Sequence, residues 1–243
     1  MEASMIEIFS SVQGEGPLVG CRQIFLRFAG CNLECAYCDT PGEMRPTHCR
    51  VHNSLDRKDI IYYKNPVKAG QVVLAVKRLK PPIHHSVVLT GGEPLLQSEF
   101  LKVILTLIKS SRLKVYLETN GTLTKQLESI IDMVDFIAMD IKLPGISNLF
   151  PLWDDHRRFL AAAVQKEVFI KVVVSGKTSD EEFIRAVRLV SGIADLPLII
   201  QPVTGGRFVK PGPGRLLFLQ ELALEHLSDV RVIPQVHKIM YML

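Results

Sequence analysis

Gln23-Ile24-Phe25-Leu26-Arg27-Phe28-Ala29-Gly30-Cys31-Asn32-Leu33-Glu34-Cys35-Ala36-Tyr37-Cys38 joins a short apolar run to three closely spaced cysteines. Residues 23–29 have the length and apolar content of a buried strand, so the cysteines fall on the loop at its carboxyl end. Their C-x-x-x-C-x-x-C spacing, in a chain with five cysteines in all, reads as a three-thiolate cluster site. Three thiolates on a four-iron cubane leave one iron without a protein ligand, whereas structural clusters and structural zinc sites close all four positions. An open iron implies chemistry at the end of this strand.

Past the cysteines, short β-branched runs alternate with amphipathic stretches, the pattern of repeated β/α units around a parallel sheet. Six units can be counted. Strands are expected over 23–29, 86–90, 114–118, 136–141, 168–174 and 197–202, with a further one over 230–234. Phe100, Val103, Ile104, Leu107 and Ile108 recur at helical spacing and give one face able to cover the sheet. Ser179 and Glu182 have capping-box spacing, starting a helix with Phe183, Val187 and Val190 inward and Gly192 at its end. The expected architecture is α/β, a partial (β/α)6 barrel in a single domain over 1–243. An insertion or lid is expected at 41–66, where the alternation breaks; its His48, Cys49 and His52 read as part of a surface loop. In such a barrel, functional groups collect at the carboxyl ends of strands. The cysteine loop, Thr90-Gly91-Gly92-Glu93-Pro94, Glu118-Thr119-Asn120-Gly121 and Asp140-Ile141-Lys142 all occupy such ends.

Net charge is only +4, and the basic stretches at 57–58 and 77–80 are not interleaved with aromatics. This points to a small-molecule substrate and away from nucleic acid. No apolar run approaches the roughly 20 residues of a membrane span, and the start, Met1-Glu2-Ala3-Ser4-Met5-Ile6-Glu7, has acids where a signal peptide carries positive charge. A cytoplasmic protein is expected. An odd cysteine count argues for metal or redox use in a reducing compartment, with Cys21 and Cys49 as free thiols.

Cys31 to Cys38, with the aromatic Tyr37 before the last cysteine, and Gly91-Gly92-Glu93-Pro94 together resemble the radical S-adenosylmethionine (SAM) superfamily. The resemblance implies a [4Fe-4S] cluster on Cys31, Cys35 and Cys38. The methionyl end of SAM chelates the open iron, and electron transfer yields a 5'-deoxyadenosyl radical. Phe9-Ser10-Ser11-Val12-Gln13-Gly14-Glu15-Gly16-Pro17-Leu18-Val19-Gly20, Arg27 to Leu33, and Pro234-Gln235-Val236-His237-Lys238 narrow it further. They resemble the 7-carboxy-7-deazaguanine synthases across almost the whole chain. That family converts 6-carboxy-5,6,7,8-tetrahydropterin to 7-carboxy-7-deazaguanine with loss of ammonia, on the route to queuosine, regenerating SAM and using Mg2+ to hold the substrate carboxylate.

By position, the resemblance puts Val12, Gln13, Gly14 and Glu15 at the pterin ring, Arg27 at its carboxylate and Thr90 at the substrate. His237 and the terminal carboxylate of Leu243 fold back onto the pterin. Tyr37, Cys38 and Asp39 run past the adenosine of SAM, and Gly92 and Glu93 take its methionyl end. Asp140, Ile141 and Lys142 take its ribose and carboxylate, Gln201, Pro202, Val203 and Thr204 its adenine or ribose, and Thr40 binds magnesium. The chemistry suits these roles. Gln13 and Glu15 match the donor and acceptor edges of a 2-amino-4-oxo ring, and a threonine hydroxyl suits a hard cation. Arg27, mid-strand among apolar residues, needs an anion, either the substrate carboxylate or a structural salt bridge. Asp140 and Lys142 also suit an internal ion pair. The family further implies a homodimer and a flavodoxin-like electron donor. Two other readings stay open. One is a glycyl-radical activating enzyme, which shares the cluster and SAM motifs but acts on a protein; the other is a zinc module in which His48, Cys49 or His52 completes the three cysteines.

Overall fold

A computed structural model describes residues 1–39, 45–53, 58–109, 112–205 and 208–242. The amino-terminal part holds strands β1 (Glu2–Ala3), β2 (Met5–Val12), β3 (Arg22–Phe28), β4 (His48–His52), β5 (Ile60–Lys64) and β6 (Val67–Lys68), then helix α1 (Ala69–Arg78). There follow β7 (Ser86–Gly91), α2 (Ser98–Ile108), β8 (Lys114–Thr119), α3 (Thr124–Glu128), β9 (Phe136–Ile141), α4 (Pro144–Ser147) and α5 (Trp153–Ala163). The carboxyl-terminal part comprises β10 (Glu167–Val174), α6 (Asp180–Ser191), β11 (Leu198–Gly205), β12 (Phe208–Lys210), α7 (Pro213–Leu224), β13 (Val230–Val232) and α8 (Val236–Ile239). Among the described residues, no helix is long and apolar enough to cross a membrane.

β3, β7, β8, β9, β10 and β11 lie side by side and parallel, the expected (β/α)6 arrangement, and β13 adds a parallel strand on β11. Strand alternation decides which residues meet which layer. Ile24, Leu26 and Phe28 of β3, with Val87 and Leu89 of β7, enter the core beneath the helices. On the opposite face, Phe25, Val88, Tyr116, Ala138, Phe169 and Ile199 form a second cluster with Phe9, whose ring stacks on Phe25 at 5.0 Å. Two residues further along the same six strands, and so on the same face, stand Arg27, Thr90, Glu118, Asp140, Lys171 and Gln201. An apolar floor thus carries a polar layer at the carboxyl ends of the strands.

Several strands go beyond the expected set, and β2, β4 and β5 extend the main sheet. β2 pairs antiparallel with β3, its apolar run being interrupted by Glu7, Ser10 and Ser11. Within 41–66, the described residues include an antiparallel hairpin of β4 and β5, with β4 pairing parallel to β2. His48 to His52 is therefore a sheet strand and not a surface loop, with Cys49 and Val51 buried in the helix-side core. The Ser179 hydroxyl accepts from the Glu182 N–H at 3.2 Å, the first half of the expected capping box. The Glu182 carboxylate instead accepts from the Gly145 N–H at 3.0 and 3.2 Å, tying α4 to α6.

Candidate active site

The polar layer opens into a cleft of about 620 Å³. Of the residues singled out from the sequence, Val12, Gln13, Gly14, Glu15, Arg27, Thr90 and His237 border it, as do Cys31, Cys35, Tyr37, Cys38, Asp39 and Gly92. So do Asp140, Lys142, Gln201, Pro202, Val203 and Thr204. Thr40 and Leu243 lie outside the described residues.

The cysteine loop is held from beneath. Gly91 has φ +124°, and a Cβ there would stand 2.2 Å from the Phe28 carbonyl oxygen; one on Gly92 would stand 2.0 Å from that of Gly30. Only glycines let this turn pack against the end of β3, where the Glu93 N–H donates to the Gly30 carbonyl at 2.8 Å. The close approach expected at a cofactor is made here to the backbone just before Cys31. Glu93 is fully buried and does not border the cleft. Its carboxylate accepts from the Leu95 N–H (3.1 Å), the Asn120 N–H (2.8 Å) and the Thr119 hydroxyl (3.0 and 3.1 Å), so it brackets two loops. Burial pushes its carboxyl up to about 7 despite those donors. Asn120 then reaches the cysteine loop, its Nδ2 donating to Asn32 Oδ1 at 2.9 Å and to Cys31 Sγ at 3.8 Å.

The other half of the cleft is a chain of alternating charge. Glu15 pairs with Lys171, Lys171 Nζ lies 3.3 Å from Asp140 Oδ1, and Lys142 Nζ lies 2.7 Å from Asp140 Oδ2. The internal pair anticipated for Asp140 and Lys142 is formed. Burial opposes every charge here, yet Asp140 and Glu15 hold Lys171 well above the ordinary lysine range, and Lys171 keeps Glu15 below the ordinary carboxyl range. Glu118 accepts from Gln13 Nε2 (3.0 Å) and from the Thr90 hydroxyl (2.6 Å); burial raises its pKa. Gln13 is itself 2% exposed, with Nε2 also donating to Gln23 Oε1 and Oε1 accepting from the Glu15 N–H, each at 3.0 Å. Its side chain sets Glu15 and Glu118 in place, with both amide hydrogens committed.

The carboxyl-terminal segment docks onto the Gln-Gly-Glu-Gly loop. The Val236 N–H donates to the Gly14 carbonyl at 2.9 Å, and a Cβ on Gly14 would collide with His237 Nδ1 at 2.2 Å. Gln235 Nε2 donates to Glu15 Oε1 (2.9 Å) and Asp39 Oδ2 (2.7 Å), and Lys238 Nζ lies 2.8 Å from Asp39 Oδ2. This segment therefore links Glu15 to the end of the cysteine loop.

The Ile141 side chain is buried in the helix-side core and does not border the cleft, because its neighbour Asp140 takes the cleft face and strand residues alternate. Three cleft residues, Glu7, Lys171 and Gln235, were not singled out from the sequence. Lys171 carried the signal that exposed Arg27, a charge inside the apolar run Val168 to Val174.

The donor set suits a cluster and SAM better than zinc. Among the described residues, the three cysteine sulfurs do not gather within 4.8 Å of one another, whereas tetrahedral zinc holds its sulfurs about 3.8 Å apart. Cys49, one of the three candidates for a fourth ligand, is sealed in the helix-side core. Gln201 Oε1 and the Tyr37 hydroxyl are buried without a protein hydrogen-bond partner, which leaves acceptor and donor capacity on the wall expected to meet SAM.

Comparison with known proteins agrees. The radical SAM superfamily profile matches residues 26–191. A Geobacter sulfurreducens 7-carboxy-7-deazaguanine synthase is 46% identical, covering 98% of this chain and 97% of its own length. One from Archaeoglobus fulgidus is 36% identical, covering 98% of each. Among solved structures, QueE from Escherichia coli has a TM-score of 0.64 at 19% identity, covering 98% of this chain and 95% of that one, and so shares the fold. The chain belongs to the radical SAM superfamily and, within it, to the 7-carboxy-7-deazaguanine synthase family.

Proposed function

We propose that this chain is a radical SAM carbon–nitrogen lyase that converts 6-carboxy-5,6,7,8-tetrahydropterin to 7-carboxy-7-deazaguanine with loss of ammonia. The carrying observation is that one cleft gathers both sets of groups. The three cysteines and the Asp140–Lys142 pair border it together with Glu15, Arg27 and His237, in a chain matching a synthase of that product over 98% of its length. Cys31, Cys35 and Cys38 would hold a [4Fe-4S] cluster and Tyr37, Lys142 and Gln201 to Thr204 would hold SAM, which together supply hydrogen-atom abstraction when bound.

The chain's own residues then orient the substrate. Glu15, kept ionised by Lys171, accepts from the amino-pyrimidinone edge of the pterin. Arg27 binds the carboxylate, with Mg2+ held through Thr40. Thr90 has its hydroxyl committed to Glu118, whose raised pKa suits it to hold a proton beside the substrate as ammonia leaves. Burial keeps His237 neutral at the ring's flank. A glycyl-radical activating enzyme must admit a loop of a large protein, and here the carboxyl-terminal segment covers that side through Gly14 and Asp39. The same reading takes a cytoplasmic homodimer reduced by a flavodoxin-like donor. An anaerobic assay with the tetrahydropterin, SAM, reductant and Mg2+ should yield the deazaguanine without net SAM consumption. Stoichiometric SAM cleavage with no deazaguanine would overturn the reading.

A further inference from the structure

The cleft-facing row of the sheet does not stop at β3. In register, Arg50 of β4 pairs with Glu7 of β2, Glu7 with Arg27 of β3, and Arg27 with Thr90 of β7. Registered residues on neighbouring strands share a face, and all four border the cleft. Glu7 sits at the centre of three of them. Its Oε1 lies 2.9 Å from Arg27 Nε, its Oε2 lies 3.3 Å from Arg50 Nη2, and only 3% of its side chain is exposed. One carboxylate between two guanidiniums leaves a surplus positive charge on the wall, and the His52 ring, 3.8 Å from Glu7 Oε2, adds to it whenever it is protonated. A guanidinium whose charge is not fully balanced, on the wall of a cleft, favours a planar anion that it can grip with two hydrogen bonds.

We propose that Arg50 is a second cationic contact for the substrate carboxylate, presented by the β4–β5 hairpin, and that Glu7 is the positioning residue that aims both arginines. This rests on the pterin reading of the cleft. Glu7 approaches Arg27 at Nε and Arg50 at Nη2, so one buried carboxylate fixes both guanidiniums. The Arg50 side chain is 45% exposed against 21% for Arg27, so Arg50 is the more open of the two to an incoming anion. The hairpin thereby gains a use: Cys49 and Val51 anchor it in the core, and the alternate residue between them reaches the cleft.

The test uses reconstituted, SAM-loaded enzyme as wild type, Arg50→Gln, Arg50→Lys and Glu7→Gln. Arg50→Gln should raise KM for the carboxylated tetrahydropterin about tenfold while leaving kcat nearly unchanged, since a partly exposed charge-assisted hydrogen bond is lost. Arg50→Lys should recover part of that loss, and Glu7→Gln should raise KM without loss of iron. By equilibrium binding, Arg50→Gln should weaken 6-carboxypterin by a similar factor and leave 6-hydroxymethylpterin unaffected. Equal weakening of both pterins, or an unchanged KM on an active wild type, overturns the assignment of Arg50 alone. A wild type that neither binds nor turns over the pterin overturns the reading beneath it.

Discussion

Replacing Lys171 with Met tests the charge chain on which the cleft depends. Lys171 is 7% exposed and its partners Glu15 and Asp140 are 14% and 19% exposed, so the variant strands one buried carboxylate and weakens the support of another. Breaking a buried ion pair from one side costs about 3–5 kcal/mol. For a chain of this length that corresponds to a fall of roughly 6–20 °C in unfolding midpoint. The pH dependence should also reverse. In the wild type Lys171 holds Glu15 below its usual 4.5, so the contribution of Glu15 is complete above pH 4.5 and is lost as pH falls through the lowered folded value. Without Lys171, burial dominates and the folded value rises above 4.5. The contribution is then complete below pH 4.5 and is lost as pH climbs through the raised value. The deficit of Lys171→Met should therefore widen from pH 5 to pH 8 in thermal melts of the apoprotein. The double variant Lys171→Met/Glu15→Gln should regain most of the midpoint and none of the activity. A single variant that melts with the wild type at both pH values would refute the argument.

Other outcomes follow from the same contacts. Gly92→Ala places a Cβ 2.0 Å from the Gly30 carbonyl oxygen and must displace the loop before Cys31, so it should cost about 1–3 kcal/mol and lower iron content after anaerobic reconstitution. Cys35→Ala should abolish the cluster absorbance, whereas Cys49→Ala should keep it and lose only about 1 kcal/mol of stability, measured by chemical denaturation. Burial holds His237 below its usual 6.5, so the contribution of its neutral ring is complete above pH 6.5 and is lost as pH falls through the lowered value. The pterin KM should accordingly rise on the acid side, and His237→Gln should flatten that limb.

Much of this was legible because it is local chemistry. Cys31, Cys35 and Cys38 needed only their spacing, the helix of Ser179 to Gly192 only its cap and periodicity, and Arg27 only its place in an apolar run. Positions that depend on facing were less legible. Ile141 and Asp140 are neighbours in sequence, yet strand alternation sends one to the core and the other to the cleft. The turn at Glu93 gave no sign that Thr119 and Asn120, 26 and 27 residues away, hold its oxygens. Gln13 seemed to offer a free amide until Gln23 and Glu118 engaged it.

By itself the amino-acid order determined the parallel β/α repeat, the cysteine loop at the end of its first strand and the turn that supports it, since hydrophobic period, glycine tolerance and thiol spacing act over a few residues. Tertiary structure alone decided that His48–His52 and Ile60–Lys64 join the sheet, that Glu7 stands between Arg27 and Arg50, and that Lys171 bridges Glu15 and Asp140. The reason is register. Which strands become neighbours, and which of their side chains then share a face, is set by burial summed over the whole sheet, and no short stretch of chain contains that information.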